Sequence, residues 1–320
     1  MYKYILKRIL AMIPVMIGVS FVIFFLLYLT PGDPATLALG ETATEEVKEQ
    51  WREEYGLNDP LLVQYGRYML NLVTKGDLGT SYKTGKTVTT SIMERYPVTF
   101  LLAITSCTVA IILGLLLGIV AANRQNSWID TLVRLLGMAG VSAPIFWVGL
   151  LLISFFAVRL QWLPVSGFYG PRYWILPSVT IGIAHAANLM RVTRSSMLDC
   201  IRMDYVTTAR SKGQEEGYIT RHHVLRNALI PIITAVGQSF GVALGGAMIV
   251  EQIFSIPGVG RLIADAISSR DYPVIRGSVI VLALGICVVN LLVDILYAAV
   301  DPRIKSQFQG VKKVKKEAQA

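Results

Sequence analysis

The stretch Gly79-Thr-Ser-Tyr-Lys-Thr-Gly85-Lys86-Thr87 comes nearest to a chemical motif, because a glycine-rich loop ending in Gly-Lys-Thr is how a backbone cradles phosphate. The spacing fails. Its glycines stand six apart, one residue too many, and Thr80 sits where the first glycine belongs. No strongly apolar strand precedes it, so a solvated turn is expected. No HExxH, paired CxxC or Gly-x-Ser-x-Gly occurs, which removes the common zinc, redox and serine-nucleophile chemistries. The 3 cysteines, odd in number and without ligand spacing, exclude a disulfide scaffold. No catalytic residue, metal site or cofactor is therefore expected in this chain.

The remaining polar residues of interest lie inside apolar runs. His185 and Asn188 are a helical turn apart, and both suit interhelical hydrogen bonding or the wall of a polar cavity. Asn290 and Asp294 share a face at i, i+4, where the carboxylate would pair with a base such as Arg191 or line a pathway. Gly237, Gly241 and Gly245, with Gln238 beside them, leave one helix face as bare backbone; Gly114 and Gly118 repeat the spacing. Small residues at that interval allow two membrane helices to approach closely.

The elements that must hold these residues are membrane helices. Hydrophobic residues make up 53% of the 320 and charged residues only 16%, too few to clothe a soluble surface. Mean hydropathy is +0.54. Six apolar runs have spanning length: Ile9–Thr30, Thr99–Ala122, Leu135–Val158, Ile175–Val192, Leu229–Val250 and Gly277–Val300. Backbone polar groups in lipid must be satisfied within the segment, so each is expected to be a helix, and the first to be retained as an anchor.

Charge sets the orientation. Of 30 Lys and Arg, 17 fall in residues 1–8, 123–134, 193–228 and 301–320, and five in the short segments on the opposite side. The positive-inside rule then puts both termini in the cytoplasm. The formal net charge of +9 is thereby a cytoplasmic property and no sign of nucleic-acid binding. The expected organisation is 1–30, an N-terminal segment and first span; 31–98, an extracytoplasmic helical segment; 99–300, a five-helix core with a cytoplasmic loop at 193–228; and 301–320, a basic tail.

Two hydrophilic pieces have structure of their own. In the external one, Thr44–Tyr55 and Pro60–Thr74 read as helices separated by turns at Asn58-Asp59-Pro60 and Lys75-Gly76-Asp77. In the internal one, Asp204 caps a short helix, Gly213 stops it, a second helix runs from about Tyr218, and Pro231 falls in the first turn of the next span. Such a protruding helical knuckle suits a groove on a cytoplasmic partner.

That loop reads Thr207-Thr208-Ala209-Arg210-Ser-Lys212-Gly213-Gln214-Glu215-Glu216-Gly217, ending in Arg226-Asn-Ala-Leu-Ile-Pro231. It resembles the coupling signature E-A-A-x-x-x-G of the permease subunits of ATP-binding-cassette importers, specifically the first permease of the dipeptide/oligopeptide/nickel group. Thr207 and Thr208 depart from the general signature, while the Thr-Ala-Arg-x-Lys-Gly run is similar to the peptide branch. Further matches are Thr30-Pro-Gly-Asp33-Pro34, Gly76-Asp-Leu-Gly79-Thr-Ser, Phe254-Ser-Ile-Pro257-Gly258-Val-Gly-Arg261-Leu, Arg270-Asp271-Tyr272-Pro273-Val-Ile and Asp301-Pro302-Arg303.

The resemblance implies an all-α fold of the type I importer kind and a chain that is no enzyme. It implies half of a translocation pathway, completed by a second homologous permease. Two cytoplasmic ATPases carrying ATP and Mg, and an extracytoplasmic substrate-binding protein, would complete a machine in a bacterial or archaeal cell membrane. Thr207–Gly217 would couple to the ATPase, and Pro257, Gly258, Arg261, Asp271, Tyr272 and Pro273 would receive the binding protein. Peptides are the expected cargo, with nickel, a metal chelate or glutathione as alternatives. A lone ion-coupled transporter, which needs chains of intramembrane carboxylates, fits these residues less well.

Overall fold

The computed structural model describes residues 2–300, so the expectations for the basic tail and for Asp301-Pro302-Arg303 lie outside the described residues. Among the described residues the named elements are all helices, α1 running over Tyr2–Leu29, α2 over Pro34–Leu39, α3 over Glu45–Glu54 and α4 over Leu61–Lys75. Next come α5 (Val88–Met93), α6 (Tyr96–Asn123), α7 (Trp128–Ser142) and α8 (Ile145–Leu152), the last continuing as a π-helical turn through Arg159. The second half holds α9 (Arg172–Ile201), α10 (Asp204–Ser211), α11 (Glu216–Tyr218), a π-helical turn at Ile219–Leu225 and α12 (Arg226–Gly246). The chain closes with α13 (Met248–Ile253), α14 (Val259–Ser268) and α15 (Tyr272–Val300).

Among the described residues, five helical runs are long and apolar enough to cross a membrane: Ile5–Leu29, Val88–Asn123, Arg172–Ile201, Glu216–Gly245 and Tyr272–Leu296. The sixth expected span, Leu135–Val158, is not one straight helix. It is the pair α7 and α8, bent by 106°. The cause is local: Pro144 drives Ala143 out of the helical region, to φ −75° and ψ 126°.

Three other boundaries differ from expectation. The helix of the fourth span continues past the expected Val192 to Ile201, well into the segment 193–228. Met203, not Asp204, occupies the cap position of α10, and Asp204 is its first residue, where a carboxylate still favours the helix N-terminus. Pro231 lies inside α12 and not in a first turn, because the helical run has already begun at Glu216.

The chain forms two compact units. Of the described residues, one gathers 2–9, 102–243 and 287–300; the other gathers 10–101 and 244–286. In the first, Leu189, Met197, Val206, Ile219, Val224 and Ile232 form the core. Glycines set the α6–α9 spacing there, since a Cβ on Gly114 would come within 2.8 Å of Leu189 and one on Gly118 within 2.6 Å of Thr193. In the second unit Leu78, Val88, Ile92, Val259, Val274 and Ile275 form the core.

Candidate functional site

The knuckle is held by a few apolar side chains and presents the rest. Val206 and Ala209, one turn apart on α10, are buried at 0% and 6% exposure and join the core with Ile219 and Val224. Thr207, Thr208, Arg210, Lys212, Gly213, Gln214, Glu215, Glu216 and Gly217 are all exposed. Gly213 has φ +74°, a conformation glycine adopts without steric cost, and its N–H reaches the Arg210 carbonyl at 2.9 Å to end the helix.

Polar contacts stiffen the turn. Arg210 donates from Nε to Glu216 Oε1 at 2.6 Å and from Nη2 to Oε2 at 3.3 Å, a two-pronged pair across the glycine. That carboxylate raises the Arg210 guanidinium above its ordinary value. His223 meets Gln214 Oε1 at 2.9 Å, and the Tyr218 ring stacks on His222 at 4.1 Å. The result is an exposed ridge of mixed charge.

The α7–α9 contact is pinned by residues that the sequence patterns did not single out. Asp130 on α7, fully buried, accepts from Arg194 Nε and Nη2 on α9, both at 2.7 Å, and from the Asn126 N–H at 3.1 Å. Their 64-residue separation lies beyond any helical periodicity, so only packing brings them together.

The intramembrane candidates are placed differently from one another. Asp294 pairs with Arg8, Nε to Oδ2 at 3.1 Å, and not with Arg191. Arg191 instead donates to Asn188 Oδ1 at 3.0 Å, its neighbour on the same helix. His185 is half-buried, and Asn290 and Gln238 are exposed. Gly237 packs against α15 so closely that a Cβ would collide with Val293, and a Cβ on Gly245 would meet Ile286 at 3.2 Å. Gly241 between them is buried.

In the second unit the motif Phe254–Leu262 has a physical explanation that centres on Glu251. This residue is fully buried just before the motif. Its Oε1 accepts from Thr99 Oγ1 at 2.7 Å and its Oε2 from the Arg261 N–H at 2.8 Å. The same threonine oxygen accepts from the Val259 N–H at 2.8 Å. The carboxylate therefore sits at the N-terminus of α14, where backbone donors and the helix dipole favour negative charge. Gly258 and Gly260 leave room for it, since a Cβ on either would run into its oxygens. Burial outweighs these donors and pushes the Glu251 carboxyl up from its ordinary value.

The other motifs are also pins. Asp33 caps α2, accepting from the N–H groups of Ala35 and Thr36 at 3.2 and 3.1 Å and from Arg52 Nε and Nη2 at 3.1 and 2.7 Å. The Arg52 guanidinium holds its carboxyl well below the usual carboxylate range. Asp271 is buried and accepts from Ser81 Oγ at 2.5 Å and the Tyr82 N–H at 3.1 Å. The Gly79–Thr87 segment is thus no phosphate loop, nor simply a solvated turn, because Ser81 is 3% exposed. Pro257 is exposed, Arg261 and Tyr272 are intermediate, and Gly258 and Pro273 are buried.

Among the described residues, no group of three or more His, Cys, Asp or Glu side chains stands together as a metal site. Long apolar helices, buried polar pins and an exposed knuckle define a multi-pass membrane protein that acts through partners. Residues 114–306 match the binding-protein-dependent transport system inner membrane component, and residues 1–103 match the N-terminal part of the same system's membrane component. The chain belongs to this family: it is a permease subunit of an ATP-binding-cassette importer, an inner-membrane protein and not an enzyme.

The glutathione transport system permease protein GsiC of Pectobacterium atrosepticum is 43% identical over 95% of this chain and 99% of its own length. That of Escherichia coli strain K12 is 42% identical over the same shares. An inward-facing methionine importer, MetNI, superposes with TM-score 0.57 at 16% identity, over 65% of this chain and 95% of that one. A crystallised amino acid ABC transporter with histidines gives 0.51 at 19% identity, over 67% and 94%. The fold is that of an ABC importer permease. Such a subunit works with ATPase and substrate-binding partners.

Proposed function

We propose that this chain forms half of the import pathway for small peptides, glutathione among them. The observation that carries the reading is the 43% identity to glutathione permeases across nearly the whole chain. A second homologous permease supplies the other half, two cytoplasmic ATPases bind ATP and Mg, and an extracytoplasmic binding protein delivers the cargo. Both termini face the cytoplasm, as the distribution of Lys and Arg directs.

In this reading Thr207–Gly217 seat in the ATPase. Closure of the ATPase pair pushes the ridge, and the push passes through Val206 and Ala209 into the helices they anchor, driving a rigid-body change between inward- and outward-facing states. The close α12–α15 contact at Gly237 and Gly245, with Gly241 between, is where helices slide, and His185, Asn188, Gln238, Asn290 and Asp294 contribute to the pathway. Residues 31–98, with Pro257–Arg261 and Asp271–Pro273, receive the binding protein; the buried pins of Glu251 and Asp271 hold those loops in shape.

The test is reconstitution of the complete complex in proteoliposomes, with glutathione, dipeptides and longer peptides offered through the cognate binding protein. Glutathione or small peptides should stimulate ATP hydrolysis and accumulate inside. Stimulation by a nickel chelate or a sugar alone would replace the reading.

A further inference from the structure

Arg276, the fifth residue of α15, makes no ion pair among the described residues. Its guanidinium lies 4.2 Å from the centre of the Tyr68 ring and 5.1 Å from that of Phe24, held between aromatic faces. Its Nε is buried without a hydrogen-bond partner among the described residues. Two further buried groups beside it have the same deficit, the hydroxyls of Tyr68 and Tyr272. Tyr68 is only 8% exposed. Three unsatisfied polar groups close together are unusual, because each costs free energy unless something accepts its hydrogen bond. The guanidinium N–H can only donate, and the hydroxyls can donate as well as accept, so an acceptor serves Arg276 and Tyr272 together where they line one cavity.

Arg276 and Tyr272 line a cavity of about 180 Å³, together with Phe24, Tyr28, Gln64 and Tyr82. No acidic side chain lines it. This space is well above the roughly 10–15 Å³ that one water needs, so it takes a small organic ion. Positive potential is reinforced at the wall, where a Cβ on Gly32 would lie 2.6 Å from Nη1 of Arg270. A second cavity that shares Arg276 carries Tyr68, Asp77 and Arg67 and lacks this single-signed character.

The geometry points to a binding site for a small free carboxylate, with Arg276 and Tyr272 as its donors, Tyr68 and Phe24 as the platform beneath the guanidinium, and Phe24 and Tyr82 as apolar walls for the rest of the molecule. The planar guanidinium fork matches a carboxylate two-on-two. The volume suits a group the size of one amino-acid residue and not a whole oligopeptide. This assignment rests on the cavity alone and holds whatever the importer carries.

The test uses the purified full chain in nanodiscs, titrated at constant ionic strength with acetate, glutamate and glycylglycine, with sodium chloride and acetamide as controls. Tyrosine and tryptophan fluorescence and the unfolding temperature are read. Saturable, carboxylate-specific shifts are expected, weakened about tenfold or more by Arg276→Gln, as for loss of a charge-assisted hydrogen bond. Tyr272→Phe should weaken them by a smaller factor, and because it removes only an unpaired hydroxyl it serves if Arg276→Gln misfolds. Shifts equal to those from chloride, or undiminished in both variants, would overturn the site. Binding seen only when the carboxylate is a side chain of the docked binding protein would overturn the free-ligand assignment.

Discussion

The Thr99 hydroxyl donates to the Glu251 carboxylate at 2.7 Å across 152 residues of sequence, and its oxygen accepts from the N–H of Val259, the first residue of α14. One threonine thereby fastens a spanning helix to both the carboxylate and the loop that opens α14. Glu251→Gln keeps the shape and one acceptor but turns an amide N–H₂ toward the α14 donors. We expect a loss of about 1–3 kcal/mol in unfolding experiments in mild detergent. Thr99→Val should lose a similar amount, and the double variant less than the sum, since both remove one network. Additive losses would show that the two act separately.

Asp130 and Arg194 form a pair in which the acid is fully buried. Arg194→Ala strands that charge, and removal of one partner of a buried pair costs about 3–5 kcal/mol. Arg134, 3.6 Å from Asp130, remains as a partial partner and draws the value toward the lower end. Replacing both residues by apolar ones of similar size should recover much of the loss, as read by thermal unfolding.

Gly213 at φ +74° has nothing within 4 Å of where a Cβ would stand. Only backbone strain opposes substitution there, so Gly213→Val should cost about 1–2 kcal/mol locally and leave insertion intact. Substrate uptake per ATP hydrolysed is expected to fall, while Gly213→Asn, which tolerates this conformation, stays near wild type. Unchanged uptake in the valine variant would count against a coupling role.

Gly237→Leu drives a side chain into Val293. Assembly or transport should drop, and Gly237→Ala combined with Val293→Ala should restore part of it. Gly241→Leu, on the same face, is expected to act in the same direction. Normal complex yield and uptake in both single variants would reduce this face to ordinary packing.

The Asp33 carboxyl is held far below the usual range by Arg52. A depressed carboxyl contributes stability that is fully present above its unfolded value and is lost as pH falls through the folded one. The docking of α2 on α3 should therefore persist through the ordinary carboxylate range and fail only in stronger acid. Trp51, stacked on Tyr55 at 4.3 Å, reports it by fluorescence. Asp33→Asn should abolish the strongly acidic transition.

Much of this protein was legible before any packing was known. The span at Tyr272–Leu296 follows from an apolar run, and the stop at Gly213 from one residue type. The bend in the Leu135–Val158 span was harder to see: Pro144 sits in plain view, but a hydropathy average does not register the backbone of the residue before it. The partner of Asp294 was out of reach for another reason. Arg8 and Arg191 are equally basic, and composition does not say which helix lies alongside.

The sequence by itself determined the solvent, the class and the exposed knuckle, because hydropathy, charge and turn residues act over a few neighbours. Tertiary structure alone decided that Ser81 meets Asp271, that Thr99 meets Glu251, and that Arg276 lies against the rings of Tyr68 and Phe24. Buried polar partners are chosen by which helices pack together. That choice belongs to the whole chain, and no window along it contains the answer.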